Sequence, residues 1–484
     1  MGSRRFVRAH LVFFFILIAA CGPTFNAMGV DRFPRPQFST VHELPTITTP
    51  DPRASTIEYV DVAALAVALC LACYFVLKTR SRRGVLLLTI ASLLYFGFYR
   101  KGCVCPIGSL QNVVLAFSDS SYVVPLAVIA FFMLPLVFAL FFGRVFCAAV
   151  CPLGAIQDVV VIKPVRLPAS LNRLLGTIPY IYLGLAVLMV ASGIGFIICR
   201  FDPFVGFFRM DGPVPTLVFG AVLLIMGVFV ARPYCRFLCP YGVLLGFMSR
   251  FSWRHATITP TDCIQCRLCE DSCPFDAIVK PTPAELPESR EKGVRRLALI
   301  ILAMPLAIGL GAWAASRLDS VVARADSRVA IAERVSLEDI GAVDGTILES
   351  DSFRETGESP ATLIGTSLAT RKAARIGGWI LGGFVGAIVC MRLMGLSMYR
   401  KVKDYQPDRE LCLSCARCFS SCPHEQQLRK ERQRVGGSVK ESSSSSSSVR
   451  NAERDERSSS SKKVLNANQD VTELGKRKRV HASS

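Results

Sequence analysis

Eight of the 19 cysteines in this chain fall into two runs with the same spacing, C-x2-C-x2-C-x3-C-P. The runs occupy residues 263–274 and 412–423. Three thiolates set two residues apart let a short loop wrap one face of an iron–sulfur cube, with each sulfur reaching a different iron. Zinc is the competing metal, but a zinc site takes four ligands, commonly as two C-x2-C pairs set apart. Two copies of the full run therefore favour two [4Fe–4S] clusters over zinc.

A second set of cysteines precedes Pro-x-Gly in three places: GCVCPIGSLQN (102–112), FCAAVCPLGAIQD (146–158) and YCRFLCPYGVLLG (234–246). Proline is favoured at the first position of a helix, so the cysteine before it is expected at the N-cap. There the helix dipole favours an anion and lowers the pKa of a thiol. These positions predict redox-active or metal-binding thiols, and the alternative is a helix start whose cysteine is buried and inert. The six candidates are Cys103, Cys105, Cys147, Cys151, Cys235 and Cys239.

The elements that must position these thiols are membrane helices. Hydrophobic residues make up 51% of the 484 residues and charged residues 19%, whereas soluble domains carry about 25% charged residues. A membrane helix needs roughly 20 apolar residues. Seven runs approach that length: 59–78, 84–100, 121–142, 174–198, 213–232, 296–315 and 375–397. The net charge of +19 is spread over loops and the C-terminal tail, so no nucleic-acid partner is expected.

The side of the membrane on which each segment lies is predicted from the basic link Lys78–Arg83, which is expected to be cytoplasmic. Alternation then places three further segments on the cytoplasmic side: 143–173, 233–295 and 398–484. The predicted outer segments are 101–120, 199–212 and the acidic loop 316–374. Both cysteine runs, and the C-terminal tail, are therefore predicted on the cytoplasmic face of a multi-pass protein of the cell membrane.

Two predicted membrane helices separate the runs and return the chain to the same side, so the runs can meet as one split ferredoxin. In bacterial two-cluster ferredoxins, the fourth cysteine of each run ligates the other cluster. One predicted ligand set is Cys263, Cys266, Cys269 and Cys422. The other is Cys412, Cys415, Cys418 and Cys273. The alternative, in which each run closes on its own cluster, stays open.

The predicted fold class is an α-helical multi-span membrane protein with a split two-cluster ferredoxin of α+β type as its cytoplasmic module. The domain boundaries are 1–30 for a signal peptide or short anchor, 31–58 for a Pro-rich extracytoplasmic segment, 59–250 for membrane helices with the C-x-C-P and C-x3-C-P motifs, 251–295 for the first ferredoxin half, 296–315 for a membrane helix, 316–374 for the acidic loop, 375–397 for a membrane helix, 398–425 for the second half and 426–484 for a disordered Ser-rich basic tail.

Several cofactors are excluded by what the sequence lacks. Only five histidines occur, and none lies in a predicted membrane helix beyond the N-terminal segment, so no haem is expected. The chain also has no C-x-x-C-H haem attachment sequence, no Walker motif and no Rossmann motif.

The motifs at 146–158, 234–246, 263–274 and 412–423 resemble those of membrane-bound polyferredoxins of the NapH and NosR type. The resemblance covers about 100–425. It implies electron transfer between the quinone pool or a cytoplasmic donor and an extracytoplasmic redox protein or reductase. Two departures limit it. NosR-like proteins carry a flavin attachment motif whose nearest match, Glu358–Thr362, lacks the glycine. The pair Cys103 and Cys105 has one spacer residue instead of three.

These observations predict an integral membrane electron-transfer component, in the manner of a quinol dehydrogenase subunit, with a non-covalent flavin or a quinone as further candidate ligands. Two alternatives stay open. An accessory protein could reduce or deliver copper during reductase or oxidase maturation, because thiolates suit Cu(I). A redox-sensing membrane regulator would act through the basic tail.

Overall fold

The computed structural model of the protein describes residues 55–102, 105–120, 122–162, 164–258, 263–282, 289–397 and 402–428. The predicted signal peptide or anchor 1–30, most of the segment 31–58, Cys103 and almost all of the tail 426–484 lie outside the described residues.

The first part of the described chain is helical, and π-helical turns extend two of its helices. Its elements are α1 Ser55–Cys73 with the π-turn Tyr74–Lys78, α2 Arg82–Ser92 with the π-turn Leu93–Tyr99, α3 Pro106–Ser118, α4 Leu126–Phe142, α5 Val145–Ala149, α6 Pro152–Val160, α7 Ala169–Leu175, α8 Ile178–Ala191, α9 Ile197–Arg200, α10 Val205–Arg209, α11 Val214–Gly227, α12 Pro233–Phe237 and α13 Pro240–Arg250.

The second part adds two short strands. Its elements are α14 Leu268–Ser272, β1 Ile278–Val279, α15 Arg290–Ser316, α16 Asp319–Ala323, α17 Ser327–Asp339, α18 Leu348–Glu355, α19 Pro360–Ser397, β2 Gln406–Pro407 and α20 Arg417–Ser421.

Among the described residues, four helical segments are long and apolar enough to cross a membrane: Thr56–Lys78, Ser170–Ala191, Glu291–Ser316 and Pro360–Gly395. Two shorter apolar helices, Leu126–Phe142 and Val214–Gly227, fall within the predicted spans 121–142 and 213–232. The predicted span 84–100 is also helical and corresponds to α2 and its π-turn. It is neither among the four long apolar helices nor among the two shorter ones. The prediction of a mainly helical chain with several membrane-length helices is confirmed.

The helices α15 and α19 pack closely because glycines on α19 face the backbone of α15. A Cβ atom added to Gly378 would lie 2.9 Å from the carbonyl oxygen of Ala315, and one added to Gly386 would lie 2.5 Å from that of Ala307. Any side chain there would separate the helices, so the four-residue glycine spacing sets their distance. This contact holds together the two helices that separate the cysteine runs.

The acidic segment 316–374, for which the sequence predicts a loop, is largely helical. It contains α16, α17, α18 and the start of the 38-residue helix α19. Val329 and Val335 of α17 are fully buried, and Glu333 of α17 pairs with Arg371 of α19. An apolar stripe among acidic residues allows this segment to fold against α19, which the charge count alone does not reveal.

The elements α4–α6 and α11–α13 follow the same order. In each copy a long apolar helix leads to a five-residue helix that carries the first cysteine of a C-x3-C-P motif. A further helix then begins at the proline of the motif. The order predicts equivalent positions for the two motifs, and their side chains show this equivalence in detail.

Candidate functional site

The two C-x2-C-x2-C-x3-C-P runs adopt the same local fold. The residues on either side of the second cysteine, Gln265 and Arg267 in the first run and Ser414 and Ala416 in the second, all have φ between 52° and 65°. Left-handed backbone is unfavourable for residues other than glycine and marks a constrained loop. Both runs thus form a tight wrap around their first three cysteines.

A five-residue helix, α14 or α20, completes each wrap, and the fourth cysteine lies directly after it. Cys273 after α14 has φ −84° and ψ 108°, and Cys422 after α20 has φ −83° and ψ 117°. The two fourth cysteines therefore leave their helices in the same conformation.

The two halves are joined by backbone hydrogen bonds. The strand β1 pairs antiparallel with β2, with Ile278 opposite Pro407. The amide of Asp408 donates to the carbonyl of Ala277 over 2.8 Å, and the amide of Thr282 donates to Val402 over 2.9 Å. The segments 263–282 and 402–428 are called the ferredoxin region below. It contains two short helices and a two-stranded sheet.

A small cavity in the ferredoxin region is lined by thiols from both runs. Its cysteines are Cys273, Cys412, Cys415 and Cys418, and its remaining walls are mainly apolar, including Phe275 and Leu413. Four thiols around one apolar cavity fit an iron–sulfur cube. Across the described ranges, no group of three or more His, Cys, Asp or Glu side chains is arranged to hold a single metal ion.

The first run forms a neighbouring thiol set. Cys269 lies within electrostatic reach of Cys263 and Cys266, and the apolar residues Ile258 and Tyr405 pack against it. Cys418 of the second run also packs against this cluster. The two thiol sets are therefore adjacent, with α14 and α20 in contact between them.

Burial dominates the electrostatics of these thiols. It raises the pKa of Cys412 to about 12 and that of Cys269 to about 11. The amide of Ser414 donates to the sulfur of Cys412 over 3.4 Å, which favours the thiolate but does not offset burial. A metal ligand must be a thiolate, so cluster assembly at these positions releases protons.

Buried ion pairs fix the ferredoxin region against the helical core. Asp158 at the end of α6 accepts from Arg232 (3.1 Å), from Arg82 (3.3 Å) and from Arg417 of α20 (3.5 Å). Burial alone would raise the pKa of this carboxyl, but the three guanidinium groups hold it at about 2. Arg82 also donates to the carbonyl of Cys415 over 3.1 Å.

Other contacts join the same surfaces. Arg166 after α6 pairs with Asp271 over 2.7 Å, and Arg80 before α2 pairs with Glu425 over 2.7 Å. The segments for which the sequence predicts a common side, around 80, 143–173, 233–295 and 402–428, are therefore in contact with one another.

The thiols of the two C-x3-C-P motifs converge on one another. Cys151 lies within electrostatic reach of the other three thiols, Cys147, Cys235 and Cys239. Cys239 also lies within electrostatic reach of Cys147 and Cys235. Cys147, Cys151 and Cys239 are each 8% exposed, and Cys235 is half-buried. Cys147, Cys151, Cys235 and Cys239 are called the four-thiol group below. The sequence predicts these pairs separately, and the structure brings them together.

Two buried arginines cross between the motifs. Arg144, three residues before Cys147, lies 3.2 Å from the position of a Cβ atom added to Gly242, which follows Cys239 in the second motif. Arg232, three residues before Cys235, lies 3.1 Å from the corresponding position on Gly154 in the first. Arg232 also donates to the carbonyl of Cys147. The repeated motif is thus R-x2-C-x3-C-P-x-G, with each arginine placed against the glycine of the other copy.

The N-cap predictions are confirmed, but their expected consequence is wrong. Cys105, Cys151 and Cys239 are the N-caps of α3, α6 and α13, and the amide of Gly242 donates to the sulfur of Cys239 over 3.3 Å. Burial nevertheless raises the pKa of all three, to about 12 for Cys105. The loss of hydration outweighs the helix N-terminus because the sulfurs are far from water.

Cys105 belongs to a separate group with Cys199 and the buried Asp202. A Cβ atom added to Gly108 would lie 3.2 Å from the sulfur of Cys199, and Cys105 is within electrostatic reach of both Cys199 and Asp202. Tyr234 is within reach of both Cys105 and Cys239, and its ring contacts Phe204, so it lies between this group and the four-thiol group. The segments 101–120 and 199–212, predicted on the outer side, therefore lie against the segment 233–295, predicted on the cytoplasmic side, and the predicted alternation does not separate them. From its sequence context, Cys199 is predicted to be a packing residue.

An apolar cavity of about 320 Å3 adjoins both groups. Helices α8, α11 and α12 and the segment before α10 line it, and its polar groups are the hydroxyls of Tyr182 and Tyr234. Asp202 lies between Phe201 and Pro203, which both line the cavity. Ligand cavities in proteins commonly measure 300–1,000 Å3 and combine apolar walls with few polar groups. This cavity suits a flat, lipid-soluble ring compound.

Sequence reasoning missed the residues around the thiols. Arg144 and Arg232, Gly154 and Gly242, and Asp202 were not predicted as site residues. The arginines have a visible signal, because both copies place Arg three residues before the first cysteine. Asp202 has none, since a single acidic residue in a short loop is ordinarily exposed.

Comparison with protein families matches three segments of the chain, all to models described as 4Fe-4S binding domains. One model matches twice, over residues 124–166 and 212–258, which contain the two C-x3-C-P motifs. Another matches residues 256–279, which contain the first cysteine run. No solved structure matches the chain.

Three relatives match parts of the chain, and the chain covers less than a fifth of the length of two of them. YccM of Escherichia coli strain K12, whose name proposes an electron transport role, is 41% identical over 68 residues, 14% of this chain and 19% of its own length. Protein NirI of Paracoccus denitrificans is 37% identical over 67 residues, 13% of this chain and 10% of its own. The uncharacterized protein MJ0750 of Methanocaldococcus jannaschii is 28% identical over 186 residues, 38% of this chain and 77% of its own.

The matched domains, the relatives and the membrane-length helices agree with the cysteine motifs on which the resemblance was based. The chain therefore carries 4Fe-4S binding domains together with membrane-length helices, and it is similar to membrane-bound polyferredoxins of the NapH and NosR type.

Proposed function

We propose that this protein carries electrons between the quinol pool, or a donor on the side of the ferredoxin region, and an extracytoplasmic redox partner. Its carriers are two [4Fe–4S] clusters held across the split ferredoxin, one by Cys263, Cys266, Cys269 and Cys422 and the other by Cys412, Cys415, Cys418 and Cys273. The observation that supports this pairing is the cavity in which Cys273 of the first run meets three thiols of the second. Each bound cluster supplies one-electron transfer at a potential set by its hydrogen bonds and exposure.

The chain's own residues give the two clusters different surroundings. The set that includes Cys412 and Cys273 faces the arginines of the helical core, since Arg144 and Arg232 lie within electrostatic reach of Cys412 and Cys415. The set that includes Cys266 reaches the surface, because Cys266 is exposed. We therefore assign exchange with a soluble partner to the set of the first run, and exchange with the membrane interior to the set of the second.

A quinol is the donor that suits the apolar cavity. Oxidation of one quinol to quinone releases two electrons and two protons, which matches two one-electron carriers. Asp202, whose pKa burial raises to about 6, lies beside the cavity and is available as a proton acceptor at neutral pH. Tyr182 and Tyr234 are within its electrostatic reach and can hydrogen-bond the ring oxygens of a bound quinol.

The ligand pairing is tested by combining serine substitutions. Cys273→Ser and Cys412→Ser should each remove one cluster, about four iron atoms per chain, and the double variant should lose no more than either single variant. Cys273→Ser combined with Cys263→Ser should instead lose both clusters, about eight iron atoms. Additive loss in the first pair and non-additive loss in the second would show that each run closes on its own cluster.

The quinol site is tested by filling the cavity. Leu185→Trp should prevent cluster reduction by an added quinol, followed anaerobically by loss of visible absorbance, while reduction by dithionite is unchanged. Val187→Trp on the same helix, which does not line the cavity, is the matched control. Asp202→Asn should slow quinol oxidation at pH 7 at least tenfold, since the amide cannot accept a proton. Normal reduction of the Leu185→Trp variant by quinol would exclude this cavity.

A second candidate function, reduction or delivery of copper, has one observation in its favour. The four-thiol group gathers soft ligands in a buried place, and thiolates select Cu(I). Copper content of protein purified from copper-replete cells, compared with iron content, separates this function from quinol-linked transfer.

A further inference from the structure

The two segments that match a 4Fe-4S binding domain each contain only two cysteines, too few to hold a cluster alone. We propose that they bind one cluster jointly, a third [4Fe–4S] cluster ligated by Cys147, Cys151, Cys235 and Cys239 of the four-thiol group. The proposal rests on the electron-transfer function above and adds a site to it. The ligands come from two different motifs, so neither motif alone makes the site. The first observation is the mutual proximity of the four buried thiols described above.

The second observation is the charge that surrounds these thiols. Arg144 is 7% exposed and Arg232 is fully buried. Arg144 donates to the sulfur of Cys147 over 3.8 Å and is within electrostatic reach of Cys239 and Cys235. Its Nε atom is buried and has no hydrogen-bond partner among the described residues. A buried cation is costly without an anion nearby, and a four-thiolate cluster is such an anion.

The third observation is the two-fold equivalence of the two motifs. Each motif supplies one thiol from a short helix, one N-cap thiol and one arginine that lies against the glycine of the other motif. Gln157 adds a donor, because its Nε2 atom lies 3.4 Å from the sulfur of Cys235. A cluster with four equivalent corners matches ligands that are arranged in two equivalent pairs.

The position of the group gives it a role. Arg232 is within electrostatic reach of Cys235 and of Cys415, so the group faces the ferredoxin region on one side. On the other side lies the apolar cavity, which is lined by Tyr234 and Leu238. Each of these residues directly precedes a cysteine of the second motif, Cys235 or Cys239. A cluster in the four-thiol group would pass single electrons from the quinol to the ferredoxin clusters. This transfer forms and breaks no bond at the group and needs no further reactant.

The iron content of the full-length protein tests the proposal without any substitution. Anaerobically purified or reconstituted protein should contain about twelve iron atoms and twelve acid-labile sulfides per chain, and two clusters alone would give about eight of each. Cys151→Ser and Cys239→Ser should each lower the iron content by about four, and the double variant should lose no more, because both thiols serve one cluster. Cys390→Ser, a buried thiol on α19, is the matched control and should lose none.

The outcomes distinguish the two proposals. Eight iron atoms in the wild type, with Cys273→Ser behaving as predicted, would overturn the third cluster and leave the split ferredoxin intact. Copper bound in place of iron and lost on Cys151→Ser would overturn it in favour of a Cu(I) site. Iron-free protein after reconstitution would overturn both proposals. A third paramagnetic signal in the reduced wild type, absent from both serine variants, would confirm the third cluster even if a variant also loses stability.

Discussion

The ferredoxin region and the four-thiol group are each assembled from two cysteine motifs, but different forces bring the motifs together. Backbone hydrogen bonds between two-residue strands join the halves of the ferredoxin region, and one of its thiols, Cys266, is exposed. Buried arginines join the halves of the four-thiol group, where three of the thiols are 8% exposed. The first arrangement suits exchange with a partner in water, and the second suits exchange within the protein only.

Asp158 connects the two regions. Its carboxylate accepts from Arg232 beside the four-thiol group and from Arg417 beside Cys418. The same residue therefore fixes both the arginine that crosses between the C-x3-C-P motifs and the helix that carries the second ferredoxin run. The comparison implies that the regions are built separately but held at a fixed distance, as the proposed electron transfer between them requires.

The largest expected effect is that of Asp158→Ala. Arg232 is fully buried, and removal of its carboxylate leaves an uncompensated charge, which costs about 3–5 kcal/mol. Thermal unfolding in detergent should show this loss, and both regions should be disturbed. Asp276→Ala, which removes a pair partly exposed to solvent, is the control and should cost less than about 1 kcal/mol. Equal effects for the two variants would show that Asp158 does not connect the regions.

The next effect tests the equivalence of the two motifs. Gly154→Ala and Gly242→Ala each place a methyl group 3.1–3.2 Å from an arginine of the other motif, so each should cost about 1–3 kcal/mol. The ferredoxin clusters should keep their spectra in both variants. Gly365→Ala on α19, where no atom lies within 4 Å, should not destabilise the protein. If only one of the two motif glycines were sensitive, the two-fold arrangement would be wrong.

Acid should weaken the connection between the regions. The pKa of Asp158 is about 2 in the folded protein and 3.8 in the reference state. A depressed pKa stabilises the fold at pH values above the unfolded pKa, and this contribution is lost as the pH falls from about 4 to about 2. The loss should reach about 2 kcal/mol. Unfolding of the wild type and of Asp158→Asn as a function of pH measures it. A similar slope in the Asn variant would assign the acid sensitivity to other groups.

The smallest effect concerns a single hydrogen bond between the core and the ferredoxin region. The hydroxyl of Ser249 donates to the carbonyl of Arg409 over 2.6 Å, and Ser249→Ala should cost about 1 kcal/mol. Hydrogen exchange of residues 402–428 should become faster while that of α13 changes little. Ser92→Ala is the control, because the Ser92 hydroxyl is buried and has no partner among the described residues. Unchanged exchange in Ser249→Ala would mean that ion pairs alone hold the ferredoxin region.

Spacing alone singled out the eight cysteines of the ferredoxin region, because the wrap around the first three cysteines of each run is local to seven residues of chain. It also predicted that the second cysteine of each Cys-Pro motif caps a helix. It did not predict how the thiols would titrate. Whether the helix N-terminus or burial controls a pKa depends on the distance of the sulfur from water, and that distance is a property of the packed protein.

The sequence by itself determined the iron–sulfur chemistry, the helical class and most of the membrane-length helices, since each depends on residues near one another in the chain. Only the tertiary structure decided that Cys147, Cys151, Cys235 and Cys239 meet, that Arg144 and Arg232 cross between the motifs, and that Cys273 lies with the second run. These are contacts between helices, and helix packing sets them through close approaches of side chains and backbone that no local pattern encodes.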